Sequence, residues 1–310
     1  MRWIIGIDGG GTRTVACAAD LSGRVLARAE KGPANYHVIG LPAFAALVAG
    51  IADDLAQATG LDKTGLALVS LGLAGADRDH DRRLLLAALD GLGLGCPFLV
   101  SSDARIALAA GLGIRGEGIV LIAGTGSIAY GLTGRGEIVR AGGWGHLVGD
   151  EGSGYDIGRR AIARGLRSLE GRDLPSALPA KIMARLGLTD LAGLVAFVYS
   201  PATAKSDIAA LAATVTEMAA AGDELSAAIL ADAGDDLAAL VLSVIARGFP
   251  GLGPVAVAAY GGLLLASPSL RARIAARLAG RAELLPPGPE PVMGALKIGY
   301  EYLDAQKDGV

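Results

Sequence analysis

The stretch of sequence that decides the fold lies near the start of the chain and reads Ile4-Ile5-Gly6-Ile7-Asp8-Gly9-Gly10-Gly11-Thr12-Arg13-Thr14. An apolar run ends in an aspartate, three glycines follow, and a second apolar run begins at Val15, which predicts a strand, a tight turn and another strand. Because the glycines leave the turn without Cβ atoms, its backbone N–H groups can approach an anion such as a phosphate. A hairpin whose glycines serve geometry alone is the alternative at this point.

Two polar residues flank these glycines. Asp8 stands at the end of the first strand, where a carboxylate could hold a magnesium ion that carries phosphates. Thr12 adds a hydroxyl donor beside the glycines. Together they make the turn a candidate phosphate and metal site.

The composition favours a protein with a large apolar interior. The chain has 310 residues, of which 52% are hydrophobic and 19% are charged, which suits one large or two medium domains. No uninterrupted apolar run approaches the roughly 20 residues of a membrane helix, and the N-terminus lacks a signal-peptide pattern. The net charge of −3 argues against a nucleic-acid surface. We therefore expect a cytoplasmic protein that binds small molecules, with no nucleic-acid and no membrane partner.

The opening pattern recurs in the middle of the chain. Residues 118–123 predict a strand, Gly124-Thr125-Gly126-Ser127 a turn of glycines and hydroxyls, and residues 128–132 a returning strand. This order matches residues 4–29. An internal repeat of this kind indicates two similar domains that face one another across a cleft, each with a phosphate-sized turn.

A glycine-rich loop, residues 142–154, follows the second turn. Trp144 and His146 stand among its glycines, and Asp150 and Glu151 come next to each other after them. Glycine at this density forms neither helix nor regular strand, and the pattern is typical of a binding loop. A tryptophan that fills the core is the alternative, but it does not explain the adjacent carboxylates.

Structural roles compete with functional ones at two other positions. The short strand at 97–100 runs into Ser102 and Asp103 ahead of an alanine-rich helix, so either residue could cap that helix. Asn35 lies in a loop before a helix predicted at 43–59, where asparagine is most often a turn residue.

Beyond Tyr155 the sequence is mostly helical, with separate helices predicted near 155–170, 175–186, 189–199 and 204–220 and a longer one at 223–247. A strand at 254–260 then ends in Gly261 and Gly262, which open another helix. This pair permits the close approach of a flat ring or a phosphate, or it serves packing alone.

The three glycine turns, in this order, resemble the phosphate-1, phosphate-2 and adenosine motifs of the acetate and sugar kinase/Hsc70/actin superfamily. Within it they are similar to the BadF/BadG/BcrA/BcrD ATPase family, and in particular to its N-acetylglucosamine and glucosamine kinases. The motifs that carry the resemblance are Gly6–Thr12, Asn35, Ser102-Asp103-Ala104, Gly124–Ser127, Gly143–His146 and Gly149–Ser153.

The resemblance implies an α/β fold of two actin-like ATPase (ribonuclease H-like) domains facing each other across a cleft. Residues 1–114 would form the N-terminal domain, on the sugar and phosphate side. Residues 115–310 would form the C-terminal domain, on the nucleotide side, with a helical insertion. The last helix, about 291–303, would pack back on the N-terminal domain.

The resemblance also implies an ATP-dependent kinase that phosphorylates N-acetylglucosamine or glucosamine at the 6-hydroxyl. Asp103 would be the general base and Asp8 would orient Mg²⁺. ATP would be held between the two turns by Gly10, Gly11, Thr12, Gly124, Thr125, Gly126 and Ser127, with Gly261 and Gly262 near its adenine and ribose. The amino sugar would be bound by Asn35, Asp103, Gly143, Trp144, Gly145, His146 and Asp150.

Other interpretations stay open, namely a kinase for N-acetylmuramic acid or glucose, a BadF-type ATPase that activates a dehydratase, or a non-enzymatic ATP switch. The only cysteines, Cys17 and Cys96, form neither a zinc or disulfide pattern nor the glycine-flanked pair with which the activators hold an iron–sulfur cluster. The loop at 142–153 argues against a switch, which has no need of it. Family members often dimerise, which leaves a homodimer open.

Overall fold

The structure is a computed structural model that describes residues 1–76, 78–114 and 116–307. The chain divides into two compact units, which we call unit 1 (Met1–Gly116 with Gly288–Val310) and unit 2 (Glu117–Pro287). The boundary predicted from the sequence falls next to Arg115, which lies outside the described residues, as do residues 308–310 at the end of the predicted second domain.

Unit 1 is built on a five-stranded sheet in the order β3-β2-β1-β4-β5. Its strands are β1 (Trp3–Gly9), β2 (Thr14–Asp20), β3 (Val25–Lys31), β4 (Leu66–Leu73) and β5 (Phe98–Ser102). The first three form an antiparallel meander, whereas β1, β4 and β5 run parallel. The carboxyl ends of the parallel strands therefore meet at one edge of the sheet, and the opening glycine turn lies at that edge.

Helices cover both faces of this sheet. They are α1 (Tyr36–Ile39), α2 (Leu41–Thr59), α3 (Asp79–Asp90), α4 (Asp103–Leu112) and α13 (Pro291–Lys307). Because side chains alternate along a strand, Ile5 of β1 packs in one core with Phe44 of α2, while Ile4 packs in another with Leu296 of α13.

Helix α2 is long and apolar enough to cross a membrane by length and composition, with a mean hydropathy of 1.3. In unit 1 it lies on the sheet instead, with Phe44, Ile51 and Leu55 fully buried. Two acidic residues on it form ion pairs, Asp53 with Lys63 and Asp54 with Lys31. These contacts identify α2 as a core helix of unit 1.

Unit 2 repeats the same sheet in the order β10-β9-β6-β7-β8. Its strands are β6 (Gly118–Ala123), β7 (Ser127–Leu132), β8 (Ile138–Gly142), β9 (Val255–Tyr260) and β10 (Ala282–Leu284). Antiparallel pairing of β6, β7 and β8 and parallel pairing of β6, β9 and β10 match unit 1 strand for strand. The internal repeat predicted from the two glycine turns is confirmed.

The helices of unit 2 are α5 (Gly154–Leu169), α6 (Leu178–Leu186), α7 (Leu191–Tyr199), α8 (Lys205–Ala209), α9 (Leu211–Ala220), α10 (Glu224–Gly248), α11 (Gly262–Ala266) and α12 (Pro268–Leu278). The single helix predicted at 204–220 is wrong, since the chain breaks at Ala210 into α8 and α9. No proline or glycine marks this break. Leu237 and Val241 of α10 are fully buried in the core of unit 2.

Helix α13 packs closely on α4 at a glycine. A Cβ at Gly294 would stand 1.8 Å from the backbone oxygen of Ile106, so only glycine allows the two helices to come this close.

We expect Gly294→Ala to lower the thermal midpoint of unfolding by several degrees, since overpacking costs about 1–3 kcal/mol.

Gly50→Ala is the matched control, because Gly50 lies within α2 and no atom stands within 4 Å of its added Cβ. There we expect an unchanged or slightly raised midpoint, since alanine is favoured over glycine in a helix by about 0.5–1 kcal/mol. Equal midpoints for the two variants would contradict the close packing of α13 on α4.

Candidate functional site

Two carboxylate side chains lie at the edge of the unit 1 sheet where its parallel strands end. Asp8 is the penultimate residue of β1, and Asp103 follows the last residue of β5 as the first residue of α4. The Ser102 hydroxyl caps that helix by accepting from Arg105 N at 3.2 Å. The Asp103 carboxylate accepts from Ala104 N at 2.8 Å. The predicted capping role therefore falls to Ser102.

Burial, reinforced by the negative charge of Asp103, raises the pKa of Asp8 to about 7, with Arg13 acting in the opposite direction. A carboxyl with so high a pKa is one whose charge is not balanced by the protein around it. A hard cation would supply that balance, because carboxylate oxygens are the ligands that Mg²⁺ prefers. The oxygen donors at this edge therefore fit the predicted magnesium ion.

Asp8 would hold a magnesium ion as one ligand among several, not as part of a closed cluster of protein ligands. Within residues 1–76, 78–114 and 116–307, no group of three or more His, Cys, Asp or Glu side chains is arranged to hold a metal. Mg²⁺ is commonly held by one or two carboxylates, with waters and substrate phosphates completing its coordination. Asp8 is of the required kind.

The opening turn directs its carbonyls inward. Gly9 O accepts from Ala74 N at 2.9 Å, Gly10 O accepts from Ala34 N at 3.1 Å, and Gly10 N donates to Arg13 O at 3.0 Å. The N–H groups of Gly11 and Thr12 make no hydrogen bond to any residue that the structure describes, and both residues are exposed. The turn thus offers two donors to a ligand.

The glycines of this turn differ in what the fold requires of them. A Cβ at Gly9 would stand 2.5 Å from Leu73 Cδ2 and 2.8 Å from Ala34 Cβ, so packing alone requires that glycine. A Cβ at Gly11 would meet nothing within 4 Å, and its φ is not positive. Neither packing nor backbone conformation explains Gly11.

Asn35 begins α1 at the same end of unit 1. Its side-chain oxygen caps that helix by accepting from His37 N at 3.0 Å, which is the turn role that the sequence favoured. The loop after β4 approaches it, since a Cβ on Gly75 would stand 3.5 Å from the same oxygen. The amide nitrogen of Asn35 donates to no residue in the described ranges and stays available to a ligand.

In unit 2, the turn between β6 and β7 is tied down through Ser127. Ser127 N donates to Asp150 Oδ1 at 3.2 Å and its hydroxyl donates to Glu151 O at 2.7 Å. Both donors of Ser127 are therefore used inside the protein. The N–H groups of Thr125 and Gly126, and the Thr125 hydroxyl, donate to nothing in the described part of the chain.

Asp150 is buried under this turn. Its carboxylate accepts from Lys205 Nζ at 2.6 Å, in addition to Ser127 N, and its side chain is only 5% exposed. Asp150 has a φ of 59°, in the left-handed region that disfavours residues with a Cβ. A Cβ on Gly126 would stand 2.9 Å from both carboxylate oxygens. The Asp150 side chain thus packs against the buried side of the turn and accepts a hydrogen bond from it.

Sequence reasoning missed Lys205. It lies 55 residues after Asp150, at the start of a short helix with no motif around it. No local pattern could have connected the two residues.

The glycine-rich loop of residues 142–154, which we call the Trp144 loop, presents apolar side chains at the surface. Trp144 is 64% exposed, with the Arg140 guanidinium 4.4 Å from the centre of its ring. The His146 ring packs edge-on against the Tyr155 ring, with the two ring centres 4.8 Å apart. Gly143 and Gly145 have positive φ values of 71° and 88°. An exposed, cation-backed indole contradicts the alternative in which this tryptophan fills the core.

The turn after β9 contains one glycine that the fold requires and one that it does not. A Cβ at Gly261 would stand 2.1 Å from Ala123 O at the end of β6, and its φ is 105°. A Cβ at Gly262 would meet nothing within 4 Å. The same holds for Gly124 in the β6–β7 turn. Each of the three predicted nucleotide turns therefore keeps one glycine that packing does not explain.

The sequence profile of the BadF/BadG/BcrA/BcrD ATPase family matches residues 5–299. The chain belongs to this family. The match spans both units and includes every turn described above.

Two relatives are similar to this chain over most of its length. A protein of Clostridium acetobutylicum, named N-acetylmuramic acid/N-acetylglucosamine kinase, is 38% identical over 250 residues, which cover 79% of this chain and 80% of the relative. A protein of Dictyostelium discoideum, named N-acetyl-D-glucosamine kinase, is 35% identical over 258 residues, which cover 78% and 79%.

Among solved structures, a protein from Chromobacterium violaceum, provisionally named an N-acetylglucosamine kinase, is similar with a TM-score of 0.78. It is 27% identical, with 96% of this chain and 99% of the other covered. The family membership and the fold class predicted from the sequence, α/β with two actin-like ATPase domains, are confirmed. The roles of individual residues stay predictions.

Proposed function

We propose that this chain is an ATP-dependent amino-sugar kinase that phosphorylates N-acetylglucosamine or glucosamine at the 6-hydroxyl. The observation that carries this function is the pair of carboxylates at the edge of the unit 1 sheet, where burial, together with the negative charge of Asp103, raises the pKa of Asp8 to about 7. Phosphoryl transfer requires one carboxylate that can hold a cation and a second that can accept a proton.

Asp103 would act as the general base. Its carboxylate accepts the proton of the sugar hydroxyl as that oxygen attacks the γ-phosphorus of ATP and the bond to the β-phosphate oxygen breaks, which releases ADP. Its position at the start of α4, after the capped Ser102, fixes the backbone that carries it. Such proton transfer typically contributes about 10²–10⁴ in rate.

The glycine turns would bind the phosphates of ATP. Gly11 and Thr12 in unit 1 and Thr125 and Gly126 in unit 2 have N–H groups available for this, while Ser127 acts by holding its turn in shape. Mg²⁺, when bound at Asp8, would supply positive charge to phosphate oxygens. Gly262 would allow the close approach of the nucleoside, and Gly261 would keep the turn that presents it.

The sugar would be bound by Asn35 through its amide nitrogen and by the Trp144 loop. An exposed indole offers an apolar face to a sugar ring, and the N–H groups of a glycine-rich loop suit ring hydroxyls and an N-acetyl group. Asp150 would act mainly through the β6–β7 turn. N-acetylmuramic acid is a second candidate substrate, because the relative from C. acetobutylicum carries it in its name.

A coupled ADP-release assay tests this function over glucosamine, N-acetylglucosamine, N-acetylmuramic acid, glucose and buffer alone. We expect turnover with at least one amino sugar and little without sugar. Sugar-independent ATP hydrolysis, together with iron–sulfur absorbance in anaerobically purified protein, would instead favour an ATPase that activates a dehydratase.

Asp103→Asn should lower turnover by about 10²–10⁴ and change both KM values only a few-fold. Asparagine keeps the oxygen that accepts from Ala104 N but cannot take the proton. Asp79→Asn is the matched control, because Asp79 is the first residue of α3 and the same charge is lost from a helix start. Near-wild-type turnover of the Asp103 variant would sink the base assignment.

Gly11→Ala should leave the thermal midpoint unchanged but raise the KM for ATP about tenfold, the effect of about 1.4 kcal/mol of lost binding. The reason is that its new Cβ points into open space that only a ligand would fill. Gly9→Ala should instead lower the midpoint, because its Cβ meets Leu73 and Ala34. Unaltered ATP kinetics in Gly11→Ala would leave this turn as a plain hairpin.

Trp144→Ala should raise the KM for the sugar by about tenfold, as expected for loss of one aromatic contact, while the KM for ATP changes less than twofold. Tyr199→Ala is the control, since Tyr199 is another exposed aromatic residue of unit 2. A larger effect on ATP than on sugar would move the loop to the nucleotide side.

A further inference from the structure

We infer that Lys205 is a positioning residue for nucleotide binding, which acts through Asp150 on the Gly124–Ser127 turn. This inference rests on the proposed function of that turn, a phosphate site, and adds a residue that the turn depends on. Two hydrogen bonds connect these residues: Lys205 Nζ donates to Asp150 Oδ2 at 2.6 Å, and Ser127 N donates to Asp150 Oδ1 at 3.2 Å.

Lys205 balances a negative charge that lies against the turn. The Asp150 carboxylate lies directly beneath Gly126, because a Cβ there would come within 2.9 Å of both oxygens. A negative charge at that place repels the phosphates for which the turn offers the N–H groups of Thr125 and Gly126. Lys205 is the ion-pair partner that the structure gives Asp150, and it cancels this charge.

Lys205 also helps to hold Asp150 in its unusual backbone conformation. Asp150 holds a φ of 59°, a conformation that persists only where the surroundings fix it. Two hydrogen bonds to its carboxylate, one from the turn and one from Lys205, supply that restraint. Without Lys205, a carboxylate that is only 5% exposed would keep a single donor and move toward water.

The backbone of Lys205 is itself held in place by the fold. Lys205 is the first residue of α8, whose start is fixed by Asp207 accepting from Ala204 N at 2.8 Å. The backbones of α8 and α5 are in close contact, because a Cβ on Gly158 of α5 would stand 2.0 Å from the backbone oxygen of Ile208 in α8. The packing of α8 on α5 therefore fixes the position of Lys205 within unit 2.

The experiment compares Lys205→Met, Lys205→Arg and the double variant Asp150→Asn with Lys205→Met. Its two readouts are ADP binding by calorimetry without sugar and the KM values for ATP and sugar. Lys181→Met is the matched control, since Lys181 forms an exposed ion pair with Glu217 elsewhere in the insertion. Thermal midpoints accompany every variant.

We expect Lys205→Met to weaken ADP binding and to raise the KM for ATP by about tenfold or more, with the KM for sugar within twofold of wild type. Lys205→Arg should recover most of the loss, and Lys181→Met should match wild type. The double variant should bind ADP better than Lys205→Met alone, because the charge that needs a partner is gone.

Wild-type ADP affinity in Lys205→Met would overturn the inference. So would an equal rise in both KM values together with a lowered thermal midpoint, which is the result of a merely structural role. If the wild-type protein phosphorylates no sugar, the proposed function fails, but ADP binding by the variants still decides the role of Lys205.

Discussion

The feature on which the site depends is the meeting of parallel strand ends at one edge of the unit 1 sheet. Pairing of β4 between β1 and β5 brings Asp8 and Asp103 to that edge from positions far apart in the sequence. Burial and the negative charge of the second carboxylate together raise the cost of ionising Asp8. The protein keeps this unfavourable pair rather than an apolar edge, which is typical of functional carboxylates rather than packing residues.

Much of this arrangement could be predicted from the sequence because its signals are local. Glycine turns between apolar runs predicted both hairpins, and their repetition predicted two sheets of one topology. The contacts that cross the fold could not be predicted. Lys205 forms a hydrogen bond with Asp150 only because α8 packs on α5. The negative charge of Glu290 helps to raise the pKa of Asp8 only because α13 begins beside β1. The break at Ala210 lacks any sequence signal, since alanine favours helix on both sides.

Ser127 shows the limit of a motif in another way. Glycine and hydroxyl residues at a turn are typical of phosphate binding, yet both donors of Ser127 are used to hold Asp150 and Glu151 in place. A motif specifies which residue types a turn contains, but not which of them face a ligand. The open space around Gly11, Gly124 and Gly262 is more informative, because a glycine that neither packing nor φ requires leaves room for something outside the chain.

The two repeats have diverged in charge while keeping one topology. Strand β1 ends in Asp8-Gly9, whereas β6 ends in Ile122-Ala123, so the second sheet carries no carboxylate at the equivalent place. The acidic residue that unit 2 does place near its turn, Asp150, is neutralised by Lys205. One repeat thus retains the negative charge that the proposed cation and the proposed base require, and the other cancels it beneath a turn whose N–H groups are proposed to bind phosphate. This division follows the needs of phosphoryl transfer, in which the anionic nucleotide must be bound and the attacking hydroxyl must lose its proton.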